Sequence, residues 1–126
     1  MKKVIQSKNA PSPIGPYNQA ILMNGCLYVS GQIALNATNG ELITESIEAE
    51  CKQVLKNLKS IIEAAGMSLN QVVKCSIFLK DLRDFDRINQ VYAEYFDEAD
   101  APARECVQVV KLPKDVNLEI SAIAMS

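Results

Sequence analysis

Residues 45–65 read ESIEAECKQVLKNLKSIIEAA, and their periodicity decides the fold class. Ile47, Cys51, Val54, Leu55, Leu58, Ile61, Ile62 and Ala65 recur at helical spacing and form one apolar stripe. Glu48, Lys52, Lys56 and Lys59 occupy the rest of the surface. A helix with one such stripe must bury it against another layer. The pattern predicts Thr44 as N-cap, Glu45 in the first turn and Gly66 closing the C-terminus.

The flanking sequence supplies that layer. On the N-terminal side, residues 2–6 read as a short strand, and residues 7–16 (SKNAPSPIGP) as a proline-held loop. Two apolar runs, 17–23 and 26–30, are separated by Asn24-Gly25, a strong hairpin signal because a type I′ turn needs positive φ at both central residues. Residues 32–35 extend the second run, and Asn39-Gly40 marks another turn. On the C-terminal side, Ser68-Leu69-Asn70-Gln71 has capping-box spacing. Residues 72–79 follow as a strand with Val73, Cys75, Ile77 and Leu79 on one face. Asp81 and Asp84 bracket a second helix start, and Phe85, Ile88, Val91, Tyr92, Tyr95 and Phe96 repeat at helical spacing. Residues 104–110 and 116–125 are predicted strands. The order β-β-β-α-β-α-β-β predicts an α+β fold: one mixed six-stranded sheet with two helices on one face.

At 126 residues the chain fits a single domain, 1–126. Net charge is -2 with no histidine, a poor match to nucleic acid or an anionic membrane. The missing imidazole removes Ser-His-Asp and Cys-His nucleophiles and histidine metal sites. Cys26, Cys51, Cys75 and Cys106 form no C-x-x-C pair, so no metal is expected, and the first three read as small buried hydrophobes. No stretch approaches the ~20 apolar residues of a membrane helix, and the start carries no apolar leader. The expected setting is a reducing cytoplasm.

The final strand puts Leu118, Ile120, Ala122 and Ala124 on one face, yet Ile123 and Met125 lie on the other. Two helices cover only one face, so self-association is the expected cover for the second.

Polar groups in apolar settings mark the candidate site: Tyr17 after Gly15-Pro16, Ser30-Gly31 at a strand end, and Arg104, Cys106 and Glu119 in the last strands. If 104–110 and 116–125 form a hairpin through 111–115, Arg104 lies opposite a residue near 122 and Glu119 nearby. Two charged residues in apolar strands need partners. One reading is a mutual salt bridge. The other has Arg104 clamp a substrate carboxylate while Glu119 holds or activates a water, a carboxylate being the natural base where histidine is absent.

At these residues the chain resembles the RidA (YjgF-type) family of reactive intermediate deaminases over nearly its whole length. The matching stretches are A-P-x-P-I-G-P-Y-x-Q-A-I at 10–21, V-S-G-Q-I at 29–33 and E-A-x-x-K-Q-V-L-x-N-L-K at 48–59. They continue as V-x-K-x-x-I-F-L-x-D-L at 72–82, F-x-x-x-N-x-V-Y-x-x-Y-F at 85–96, P-A-R-x-C-V-Q-V at 102–109 and L-P-K-D-V-x-L-E-I at 112–120. The resemblance implies a chorismate-mutase-like fold and a homotrimer with sites between subunits. It implies cofactor-free hydrolysis of small 2-imino acids to 2-oxo acids and ammonia, the imines being released by PLP-dependent dehydratases. It assigns carboxylate binding to Arg104, water positioning to Glu119, and a backbone contact at Cys106. Tyr17 would wall the pocket, Ser30 and Gly31 would add polar contacts, and Asn89 matches a site asparagine. Asn18 and Glu105 stand where many deaminase members have serine. The competing readings are a non-enzymatic trimeric module that binds 2-oxo acids, an RNA-cleaving or chaperone role, and chorismate mutation. Charge argues against RNA, and fold alone does not license the last.

Overall fold

The computed structural model describes all 126 residues. Helix α1 spans Ile47–Ala64, and its stripe from Ile47 to Ile62 is buried. The N-cap is Ser46, not Thr44. Ser46 has extended backbone, and its hydroxyl accepts the Ala49 N–H at 3.0 Å. Only the residue directly before the first helical position can reach that amide, and the stripe makes Ile47 that position. At the other end Gly66, at φ +78°, reverses the chain, with its N–H on Glu63 and the Met67 N–H on Ile62.

The strands are β1 (Lys3–Ile5), β2 (Ala20–Met23), β3 (Cys26–Gln32), β4 (Val72–Leu79), β5 (Ala103–Gln108) and β6 (Leu118–Met125). They form one sheet in the order β1-β2-β3-β6-β4-β5. β2 and β3 are the predicted hairpin, turning through Asn24 and Gly25 at φ 51° and 76°. Helix α2 spans Phe85–Tyr95 and packs beside α1. Leu27, Val29, Cys75, Ile77, Leu118, Ile120 and Ala122 present the sheet's covered face to one continuous core. On the surface Arg87 of α2 grips Glu48 of α1 through two hydrogen bonds of 2.8 and 2.6 Å.

Three further expectations are corrected. First, β5 and β6 are not a hairpin. β5 runs parallel to β4, with Arg104 opposite Cys75 and Cys106 opposite Ile77. β6 lies antiparallel between β3 and β4. The cause is α2: a parallel neighbour needs a crossover, and the helix between β4 and β5 is that crossover. Second, Val72 and not Val73 points into the core, because the β4–β6 register shifts between Val72 and Lys74. Third, Cys26 is only half-buried, since it shares a face with exposed Tyr28, while Cys51 and Cys75 are buried as expected.

The face opposite the helices is uncovered and carries a group of apolar side chains beside the Lys74–Glu105 ion pair. Val4, Met23, Tyr28, Val107 and Met125 are each between 42% and 53% exposed there. That distribution is poor for a sheet face left to water.

Candidate active site

The sequence-predicted residues fall into two groups on opposite faces of the sheet. Arg104 and Cys106 lie in register with the buried Cys75 and Ile77, so they share the helix-side face at the β5 edge. Asn89, Phe85 and Tyr92 reach the same place from α2, spaced i, i+4 and i+7 along one side of the helix. Arg104 Nη2 donates to Asn89 Oδ1. The guanidinium carbon lies 4.7 Å from the Tyr92 ring centre and 5.4 Å from that of Phe85. Two aromatic faces and one amide oxygen thus orient the cation. None of the chain's ion pairs involves Arg104. Beneath it the Tyr92 hydroxyl is buried without a hydrogen-bond partner, and burial raises its pKa. Burial also pushes the Cys106 thiol upward, against the pull of Arg104.

Glu119 pairs with Phe78 of β4, one parity step from the Cys75 row, and so faces away from the helices. It shares a cleft of about 610 Å³ with Tyr17, Ser30 and Gly31. The β3–β6 register shifts between Val29 and Gln32, which bulges Ser30-Gly31 out of the ladder. The bulge brings Gly31 against Glu119: a Cβ built on Gly31 would stand 2.8 Å from the Glu119 Cδ. Glycine is needed here for space. The Glu119 carboxyl has no hydrogen-bond or ion-pair partner in the chain, and burial raises its pKa above the ordinary carboxylate range. The Ser30 hydroxyl donates to Asn18 O at 2.6 Å. Tyr17 is half-exposed, and its hydroxyl accepts the Ile14 N–H at 3.4 Å.

The salt-bridge reading of Arg104 and Glu119 is therefore overturned, because the sheet lies between them. The hairpin register would bring Arg104 and Glu119 near each other, whereas the pairing of both strands with β4 sets them on opposite faces. Four further contributors are present. Phe85 and Tyr92 read as core, although Asn89 on the same side of α2 was the signal. Gln19 is buried and ties the 7–11 loop to β2, its Oε1 accepting the Ser7 N–H and its Nε2 bonding Ala10 O and Pro11 O. Lys114, the lysine of the L-P-K-D-V stretch, lines the cleft from a left-handed backbone at φ 55°.

Known proteins place this architecture. The family model described as Endoribonuclease L-PSP matches residues 7–126. A RutC family protein of Pyrococcus horikoshii is 52% identical over 124 residues, covering 98% of both chains. An Escherichia coli protein named 2-iminobutanoate/2-iminopropanoate deaminase is 45% identical over 127 residues, covering 99% of this chain and 98% of the other. The crystal structure of the YjgF gene product of E. coli superposes with a TM-score of 0.92 at 44% identity, covering 98% of each chain. That of E. coli TdcF with bound serine gives 0.93 at 43% identity, again covering 98% of each. Matched over almost its whole length in motif, sequence and fold, the chain belongs to the Endoribonuclease L-PSP family, the RidA (YjgF-type) proteins.

Proposed function

We propose that the chain is an imine deaminase that hydrolyses 2-iminobutanoate and 2-iminopropanoate to the 2-oxo acids and ammonia, without cofactor. The observation that carries this reading is the unpaired guanidinium of Arg104, oriented by Asn89, Tyr92 and Phe85 and free to receive a carboxylate. Arg104 binds the substrate carboxylate as a bidentate fork. The backbone at Cys106 contacts the imine nitrogen or the attacking water. Tyr17 walls the pocket, and Ser30 and Gly31 supply further polar contacts.

Glu119 positions the water. Water adds to the carbon of the protonated imine, the C=N electron pair moves to nitrogen to leave a neutral amino group, and Glu119 takes the proton that water loses. Glu119 returns that proton to the amino group, the C–N bond breaks with its electron pair leaving on ammonia as the hydroxyl oxygen forms the carbonyl, and the hydroxyl proton passes to Glu119 and on to the released ammonia. A carboxyl whose pKa is raised by burial suits these transfers. The imine carbon is already electrophilic, so placement supplies much of the acceleration.

The working unit in this proposal is a homotrimer. A second copy covers the apolar sheet face and brings its Glu119 cleft to the Arg104 edge of the first. Support comes from the exposed Val4, Met23, Tyr28, Val107 and Met125 and from the division of the site between two faces. A cytoplasmic setting completes the reading, supported by four cysteines with no disulfide among them.

The test couples the purified protein to a threonine dehydratase and follows 2-iminobutanoate decay. Acceleration over buffer is expected, with a loss of about 10²-fold or more in Arg104→Ala. No acceleration, or full activity without Arg104, overturns the proposal. Saturable 2-oxobutanoate binding without turnover would establish the binding-module reading instead.

A further inference from the structure

The carboxyl of Glu119 has no polar partner, so its place is set by its backbone and by the Gly31 contact. That backbone is held by another glutamate. Glu50 of α1 is fully buried. Its Oε2 accepts the Asn117 N–H at 2.8 Å and the Leu118 N–H at 3.2 Å, and its Oε1 accepts Asn117 Nδ2–H at 2.7 Å. All three partners are donors, and none of the chain's ion pairs includes Glu50. A buried carboxyl without a cation is costly unless such donors satisfy it. The two amides it grips belong to the residues immediately before Glu119. Two turns along α1, buried Asn57 does the same for the opposite wall of the cleft, donating to Ile33 O at 3.2 Å and Leu35 O at 2.9 Å.

We infer that Glu50 is a positioning residue for Glu119, fixing the start of β6 so that the catalytic carboxyl stands against Gly31. The inference rests on the imine-hydrolysis reading, in which Glu119 handles the water. Glu50 touches neither substrate nor water and acts through the 117–118 backbone.

Glu50→Gln tests it, because the new amide turns one acceptor into a donor that faces the Asn117 side-chain donor. The pair Glu50→Gln/Asn117→Asp restores the match: Oε1 of the glutamine takes both backbone amides, and its Nε2–H donates to the aspartate. We expect kcat for 2-iminobutanoate to fall about 10-fold or more in Glu50→Gln with KM changed less than about twofold, since the anion grip of Arg104 lies on the other face. The paired variant is expected to recover most of kcat. The titration midpoint of Glu119, followed by carboxyl ¹³C NMR, should move in Glu50→Gln and return in the pair, and this needs no turnover. Should Glu50→Gln fail to fold, Asn117→Ala removes one donor only, and a smaller change in both readouts is expected. An unchanged kcat and an unmoved midpoint in folded variants overturn the inference, as does a pair that recovers stability but not kcat. Failure of the parent protein to accelerate imine decay overturns the deaminase reading alone, because the midpoint still tests the placement of Glu119.

Discussion

Glu119 carries a cost that its neighbours do not relieve. Burial disfavours its ionised form, and no cation or donor of the chain compensates. A carboxyl with a raised folded-state pKa contributes stability below its unfolded pKa and loses that contribution as pH rises through the folded value. Glu119→Gln does not titrate. It should therefore be more stable than the parent near neutral pH, with the difference closing as pH falls below the carboxylate range. Guanidinium unfolding at about pH 7 and about pH 3.5 measures this, and equal stabilities at neutral pH would contradict it. The same variant should lose imine turnover. Gly31→Ala attacks the geometry from the other side, because the new Cβ occupies the space of the carboxyl. A fall in kcat of about 10-fold or more is expected in steady-state assays, with helix content by circular dichroism unchanged. At this scale the sequence marked Arg104 and Glu119 as charges in apolar strands that needed an explanation. It did not reveal that they face opposite ways, because parity depends on which strand each one pairs with.

The elements divide the labour. The unit β4–α2–β5 holds the Arg104 guanidinium, and β3, β6 and the 7–18 segment build the cleft. α1 anchors the cleft from behind while its apolar stripe fills the core. That helix was legible because a period of 3.6 over 18 residues admits no other reading, and the β2–β3 hairpin because Asn24-Gly25 fits one turn. The pairing of β5 was not legible from its own neighbourhood. The short 111–115 connection imitates a hairpin loop, whereas the deciding feature, a crossover helix, lies upstream. The caps follow local rules, as Ser46 illustrates. Ser46→Ala should cost about 0.5–2 kcal/mol, seen as a lower denaturant midpoint with an unchanged slope and no loss of imine turnover per folded molecule.

For the whole molecule, the division of the site has a kinetic signature. If the Arg104 edge of one subunit meets the Glu119 cleft of the next, Arg104→Ala and Glu119→Gln damage different halves. Mixed trimers refolded from equal amounts of the two inactive chains should recover about a quarter of parental activity, since each site then needs one intact half from each kind of chain. Sedimentation should give a trimer in every case. Activity that stays at the level of the separate variants would place both groups in one subunit. The apolar residues on the second sheet face were legible in the alternation of β6, but alternation specifies a face and not a symmetry.

The crossover that made β5 parallel also makes the proposed anion grip a contiguous piece of chain. Phe85, Asn89, Tyr92, Arg104 and Cys106 all fall within residues 85–106, while Tyr17, Ser30, Gly31 and Glu119 all fall outside. In the proposed mechanism, recognition of the acid and handling of the water are thus separately heritable. A single exchange of the 81–108 segment between two relatives would transplant one and leave the other, so substrate preference can drift without disturbing the hydrolytic chemistry.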